Sequence, residues 1–194
     1  MRGIVLLALL AGVFSAMASG CSRDNPIVII STGLGDIEVE IFEDRSPLTA
    51  GNFLKYVEEN RFEGAAFYRT VTMDNQPDND IKIEVIQGGL GDDPLGLGLQ
   101  PIKHETTAQT GLRHLDGTIS MARAAPGTAS SEIFICVGDQ PDLDFGGRRN
   151  PDGQGFAAFG RVVRGMDVVR KIQAQPADGQ MLDPEIAILG IEEM

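Results

Sequence analysis

The sequence predicts a mainly β protein folded as one antiparallel barrel or sandwich, and three observations support this class. The chain has 194 residues, of which 42% are hydrophobic, so it is long enough for one domain with a substantial core. Its 24 glycines and 10 prolines indicate frequent turns, which suit short strands better than long helices. About eight short apolar segments accompany only two helical ones, without the regular strand–helix alternation typical of a parallel sheet.

The predicted strands are short apolar segments bounded by turn residues. The first two, Ile27–Thr32 and Ile37–Phe42, flank the turn "GLGD" and form a hairpin. Apolar and acidic residues alternate along the second arm, so one of its faces should be buried and the other exposed. The remaining predicted strands are Ala65–Val71, Ile81–Gln87, Gly117–Arg123, Glu132–Val137, Phe156–Val163 and Glu185–Glu193.

Two segments have the periodicity of amphipathic helices. The first begins with Ser46 as N-cap and Pro47 at the first helical position, and it runs to about Glu59. Apolar residues recur in it at i, i+3, i+4 and i+7, which gives one buried stripe. The second predicted helix is Met166–Ala174.

The N-terminal 21 residues have the layout of a secretory signal: Arg2, an apolar run, and small residues that end at Cys21. The close "ASGC" resembles a bacterial lipobox, in which the cysteine becomes the lipidated first residue. Ordinary cleavage near Ala18 or Gly20 is the alternative. We therefore expect a signal peptide at 1–21, a tether at 22–26 and one domain at 27–194. The protein would be exported to the bacterial cell envelope (periplasm) and anchored to its membrane only through lipid on Cys21.

The net charge is −12, and removal of the signal would take away Arg2 and no acidic residue, which leaves −13. So acidic a surface repels phosphate backbones, and we expect no nucleic-acid partner. If Cys21 carries lipid, Cys136 is the one remaining cysteine, and its apolar surroundings predict a buried small hydrophobe.

The chain lacks the residues of most familiar catalytic sites. There is no G-x-S-x-G motif, and the two histidines, His104 and His114, lie in polar connecting sequence. We expect no metal site and no cofactor, since the cysteines and histidines do not form a ligand set and the glycine-rich segment "GGLGDDPLGLG" has no lysine for a phosphate. Two polar insertions, Thr72–Asp80 and Asp144–Gly155, interrupt the strands.

Five segments in this order, "FYRTV", "VIQGG", "GTISMAR", "SSEIFICVGDQPDLD" and "GFAAFGRVVRGMDVV", resemble a bacterial cyclophilin. The resemblance covers the chain from Ile27 to its C-terminus. It implies a closed eight-stranded antiparallel barrel with two capping α-helices. It also implies a peptidyl-prolyl cis–trans isomerase that acts on proline-containing polypeptides; we expect a monomer.

Prolyl isomerisation needs no nucleophile, which agrees with the absence of a nucleophile motif from the sequence. Isomerisation breaks no covalent link; it twists the X–Pro bond over a barrier of ~18–20 kcal/mol. The prolyl nitrogen becomes a better hydrogen-bond acceptor as amide resonance is lost, so a donor beside it binds the twisted state most strongly. The resemblance implies that Arg69 is this catalytic donor. A surface arginine paired with one of the many acidic residues is the alternative.

The resemblance further implies a substrate-binding surface around Arg69. Gln87 would hold the arginine, the small residues around Arg123 would lie along the substrate backbone, and Phe134 would form the floor of the proline pocket. The complete set is Val85, Gln87, Ala122, Arg123, Ala124, Glu132, Phe134, Leu143 and Phe156.

Several positions depart from the family pattern. Glu84 replaces an aromatic wall, and it either pairs with Arg69 in competition with substrate or points outward. Glu132 replaces a glutamine and Arg123 an asparagine, and we expect these two to form a compensating pair. Asp142 stands where cyclosporin-sensitive members have tryptophan, which predicts weak binding of that drug. The departures leave open a reduced turnover, or a non-catalytic proline-peptide-binding or chaperone module on the same fold.

Overall fold

The computed structural model describes residues 25–194, so the predicted signal and Cys21 lie outside the described residues. Thirteen elements follow one another along this part of the chain. They are β1 Ile27–Thr32, β2 Gly35–Ile41, α1 Pro47–Glu58, β3 Ala66–Val71, β4 Val85–Gly89, α2 Thr107–Thr110, β5 Thr118–Met121, β6 Ile133–Cys136, a 3₁₀ helix Pro141–Leu143, β7 Ala157–Arg164, α3 Met166–Gln173, β8 Ala177–Asp178 and β9 Met181–Glu193.

Eight of the strands close into one antiparallel barrel. Their order is β1-β2-β7-β5-β6-β4-β3-β9, and pairing of β9 with β1 closes the ring. The two-residue strand β8 pairs with the start of β9 and lies beside the ring. The predicted closed eight-stranded barrel is confirmed.

The barrel interior is filled by alternating apolar side chains. Val28 and Ile30 of β1, and Ile37 and Val39 of β2, are fully buried, which confirms the hairpin and its buried face. Helix α1 contacts β7 and β9, and α3 contacts β2, β3 and β4. No helix within residues 25–194 has the length and apolar character needed to cross a membrane.

Helix α1 begins at Pro47 as predicted, but its N-terminus is stabilised differently. The Ser46 hydroxyl donates to the carbonyl of Phe42, so it does not cap the helix. Instead Glu105, from a distant loop, accepts at 2.6 Å from both the backbone N–H and the hydroxyl of Thr49. A carboxylate here satisfies a free helix N–H and complements the positive end of the helix dipole. Ser46 is therefore the N-cap residue as predicted, but its hydroxyl does not make the capping hydrogen bond.

Two further elements differ from the prediction. The four-residue helix α2 was not predicted, and a reciprocal bond between Thr106 and Gln109 closes its first turn. The strand predicted from Ile81 begins only at Val85. The reason is Gln76, whose side chain binds both the backbone N–H and the carbonyl of Ile83 and thereby holds this segment away from the ladder.

Candidate active site

One cavity of about 390 Å³ opens on the face of the barrel formed by β3, β4 and the loops after β5 and before β7. All ten residues for which the resemblance implied a catalytic or binding role lie around it, although their roles remain predictions. Three further residues also line it, Ile83, Thr128 and Ser130, which the sequence did not single out. The lining set is Arg69, Ile83, Val85, Gln87, Ala122, Arg123, Ala124, Thr128, Ser130, Glu132, Phe134, Leu143 and Phe156.

The floor of the cavity is a small apolar cluster separate from the main core. Phe134, Val85 and Leu143 are buried in it, and Phe156 packs against it. The rings of Phe134 and Phe156 meet edge to face, with centroids 5.2 Å apart and planes at 84°. Two rings at right angles form an apolar corner that suits a small saturated ring.

A polar triad of His114, Ser120 and Asp144 contacts Phe134 through the His114 ring. The His114 ring is 1% exposed and stacks on Phe134 at 5.8 Å between centroids. Its Nδ1 lies 2.7 Å from an Asp144 oxygen, and its Nε2 lies 3.0 Å from the Ser120 hydroxyl. Because the carboxylate only accepts, Nδ1 carries the proton, and in the neutral ring Nε2 accepts from Ser120.

Ser120 of this Ser–His–Asp arrangement does not serve as a nucleophile. Ser120 is fully buried beneath the pocket floor, so no substrate reaches its hydroxyl. The triad therefore orients Phe134. His114 lies in polar connecting sequence, and its spacing along the chain gives no sign of these three contacts.

Arg69 is held by two neutral amides. Its Nη1 donates to Gln87 Oε1 at 2.7 Å, while its Nε and Nη2 both donate to Gln180 Oε1. A guanidinium has five N–H groups, so three are engaged and two remain for a substrate. Burial lowers the pKa of Arg69, but its ordinary value is so high that the group stays charged.

The insertion Thr72–Asp80 supports Gln180, a residue that the sequence did not single out. Gln180 lies in the turn between β8 and β9, 111 residues from Arg69. Its Nε2 donates to the backbone carbonyl of Asn75 at 3.0 Å. The Asn75 side chain in turn donates to the carbonyl of Gly179. The polar insertion thereby positions the amide that grips the arginine.

Of the two alternatives for Glu84, the ion pair with Arg69 does not form. Glu84 makes no ion pair within residues 25–194 and does not line the cavity. It lies just before β4, where its backbone carbonyl accepts from the N–H of Val137. The carboxylate of Glu84 therefore does not compete with substrate for Arg69 in this structure.

The expected ion pair between Arg123 and Glu132 was wrong. The Arg123 side chain, 1% exposed, makes a two-pronged ion pair with Asp152 at 2.8 and 3.0 Å. Two of its nitrogens also donate to the carbonyl of Gly155, and its guanidinium lies 5.3 Å from the Phe156 ring centre. Arg123 therefore ties the second polar insertion to the cavity wall.

Glu132 has different partners. One of its oxygens accepts from the Tyr68 hydroxyl, and the other accepts from the Gly91 N–H and the Ser131 hydroxyl. Tyr68 also accepts from Gln87 Nε2 at 2.8 Å. A line of hydrogen bonds thus connects Glu132 through Tyr68 and Gln87 to Arg69.

Comparisons with known proteins place the chain in one family. The model of the family described as cyclophilin type peptidyl-prolyl cis-trans isomerase/CLD matches residues 27–193. A peptidyl-prolyl cis-trans isomerase of Acinetobacter baylyi is 37% identical over 155 residues, which are 78% of this chain and 74% of that protein. Peptidyl-prolyl cis-trans isomerase B of Escherichia coli is 38% identical over 152 residues, 76% of this chain and 84% of that protein.

Solved structures show the same fold. A cyclophilin type peptidyl-prolyl cis-trans isomerase of Cryptosporidium parvum aligns with a TM-score of 0.70 and 22% identity, and the match covers 88% of this chain and 98% of that one. A second structure of that protein, determined in the presence of the dipeptide Ala-Pro, aligns with a TM-score of 0.69 and 23% identity and covers 87% and 98%.

Proposed function

The chain belongs to the cyclophilin-type peptidyl-prolyl cis–trans isomerase family and is a peptidyl-prolyl isomerase, and from this premise we propose which residues and which polypeptides take part. Arg69 is the donor to the prolyl nitrogen, and the corner of Phe134 and Phe156 receives the prolyl ring. The clients are unfolded or newly exported polypeptides that contain X–Pro bonds.

Catalysis follows from what the pocket binds most strongly. The apolar corner holds the prolyl ring while the preceding residue rotates about the imide bond. In the planar states the nitrogen lone pair is delocalised and accepts poorly; in the twisted state it accepts a hydrogen bond from a free N–H of Arg69. Because that bond is stronger in the twisted state, it lowers the barrier. Each ~1.4 kcal/mol by which the twisted state is bound more strongly than the planar states raises the rate about tenfold.

One observation carries this proposal: Arg69 is a half-buried, charged donor that lines the cavity and has amides instead of carboxylates as partners. An arginine neutralised by Glu84 would have favoured the non-catalytic peptide-binding alternative. Glu84 takes no part in the cavity, so the main reason for that alternative is removed.

A protease-coupled assay on a short X–Pro peptide tests the role of Arg69. We expect the mature wild type to accelerate isomerisation and Arg69→Ala to lose most of kcat/KM. Arg161→Ala is the matched control, because that arginine is largely exposed and pairs with Glu40 away from the cavity. Equal activity of wild type and Arg69→Ala would contradict the assignment.

The cellular setting is also proposed. The layout of residues 1–21 supports export to the cell envelope, and "ASGC" supports lipid attachment at Cys21. Fractionation of wild type and Cys21→Ala tests this: the wild type should partition with membranes and the variant with the soluble envelope fraction. Unchanged partitioning of the variant would contradict the anchor.

A further inference from the structure

We propose that Glu132 and Tyr68 are positioning residues that orient the Gln87 amide, so that its oxygen and not its nitrogen faces Arg69. This inference rests on the proposed function of Arg69 and deepens it. It assigns Tyr68 a role for the first time, and it replaces the expected substrate contact of Glu132 with an indirect role.

The direction of the hydrogen bonds follows from counting donors and acceptors. A carboxylate only accepts, so the single proton of the Tyr68 hydroxyl points to Glu132 Oε2, at 2.5 Å. The Tyr68 oxygen is then left as an acceptor, and it takes a proton from Gln87 Nε2 at 2.8 Å. With its NH₂ group turned to Tyr68, Gln87 presents Oε1 to Arg69 Nη1 at 2.7 Å.

The reverse orientation of Gln87 would place an NH₂ group against a guanidinium N–H. Two donors facing each other lose a hydrogen bond and repel, so Arg69 would move away from Gln87. Burial and the Glu132 carboxylate raise the pKa of Tyr68, so its hydroxyl keeps its proton at every working pH. The arrangement is therefore one-directional, from Arg69 through Gln87 and Tyr68 to Glu132.

The other oxygen of Glu132 makes the carboxylate hard to replace. It accepts from the Gly91 backbone N–H at 3.1 Å and from the Ser131 hydroxyl at 3.0 Å. The backbone N–H cannot become an acceptor, so in Glu132→Gln the new amide oxygen must stay on this side. The new NH₂ group then faces Tyr68, so the Tyr68 hydroxyl loses its acceptor and is free to rotate. A rotated hydroxyl no longer requires Gln87 to present its NH₂ group.

The decisive experiment is Glu132→Gln, because the two roles for Glu132 predict opposite results. If the carboxylate orients Gln87, this isosteric change lowers kcat/KM about tenfold, with the loss in kcat and little change in KM. If position 132 contacts the substrate backbone, restoring the amide of the family pattern keeps or raises activity, which would overturn the proposal.

Tyr68→Phe provides an independent arm. It should cause a similar loss in kcat. The double variant Glu132→Gln/Tyr68→Phe should lose no more kcat than either single variant, because both changes break the same line of hydrogen bonds to Arg69. Losses that multiply in the double variant would overturn the proposal. Tyr56→Phe is the matched control: it removes a buried tyrosine hydroxyl that accepts from the Leu99 N–H outside the cavity, and it should retain wild-type kcat.

A spectroscopic measurement separates positioning from general loss of structure. The NMR resonance of the Arg69 Nε–H should shift in Glu132→Gln and Tyr68→Phe, while backbone resonances of the barrel core keep their positions. An unchanged Arg69 resonance together with lowered kcat would contradict the proposal. Failure of the proposed function itself is distinguishable, since it would appear as equal activity of wild type and Arg69→Ala.

Discussion

Removal of the Arg123 side chain tests whether the long insertion is a working part of the cavity wall. In Arg123→Ala the buried carbonyl of Gly155 loses both of its guanidinium donors. Asp152 loses its ion pair, and the Phe156 ring loses the cation that covers it at 5.3 Å. The insertion Asp144–Gly155 then makes fewer contacts with the segment after β5 that lines the cavity.

The expected loss of stability follows from these contacts. A buried carbonyl left without a donor costs about 1–3 kcal/mol, and a desolvated cation–π contact contributes about 0.5–2 kcal/mol. The Asp152 carboxylate is partly exposed, so we assign its ion pair no separate contribution. We expect the free energy of unfolding to fall by about 2–4 kcal/mol, which is roughly 4–16 °C in Tm for a chain of this size.

Chemical denaturation and isomerase kinetics measure the two consequences. KM should rise severalfold because Phe156 is no longer held, while kcat should change little because Arg69 keeps its amides. Arg148→Ala is the control: this side chain, from the same insertion, is 73% exposed, pairs with Asp142 just before the insertion, and should change stability by less than about 0.5 kcal/mol. A loss for Arg123→Ala no larger than for Arg148→Ala would refute the reasoning.

Three further predictions concern Arg69, the β3–β4 contact and pH. Gln180→Glu would place a carboxylate on Arg69 and should lower kcat/KM by about tenfold or more in the coupled assay. Gly88→Ala would place a Cβ 2.4 Å from the Ala66 carbonyl, and denaturation should show a loss of about 1–3 kcal/mol. A hydrogen bond from arginine holds the pKa of Asp152 below its ordinary value. Its stabilising contribution should therefore be present at neutral pH and lost as pH falls below about 4, and the pH dependence of unfolding should be steeper in wild type than in Asp152→Asn.

Most of the fold was predictable because barrel strands carry a local signal. The alternation in β2 and the stripe in α1 are set by which side chains face the core, and both are visible in short windows of sequence. The start of β4 was not predictable in this way. Ile81 and Ile83 have strand-like character, but the Gln76 side chain takes the backbone groups of Ile83 that a ladder would need. A contact of this kind depends on tertiary geometry.

The residues of the site that lie in the family motifs were predictable from the sequence. The residues whose role depends on one tertiary contact were not. The resemblance named ten of the thirteen residues that line the cavity. It did not reveal Gln180 or His114, since each acts through partners from other segments of the chain. It also assigned Arg123 to the wrong carboxylate, because Asp152 and Glu132 are equally plausible partners in a linear sequence.

The choice of partners explains how one arginine keeps its charge in a chain with 28 acidic and only 16 basic residues. Amides hold Arg69 in place through directional bonds without neutralising it, so its positive charge stays available to the substrate. The carboxylate that lines the cavity, Glu132, accepts from Tyr68 and not from Arg69. A carboxylate in either amide position would bind the guanidinium more tightly and would also cancel the field that stabilises the twisted imide. Under the proposed mechanism, the Arg69 guanidinium of this acidic protein has neutral amides next to it, and the Glu132 carboxylate lies three hydrogen bonds away, through Tyr68 and Gln87.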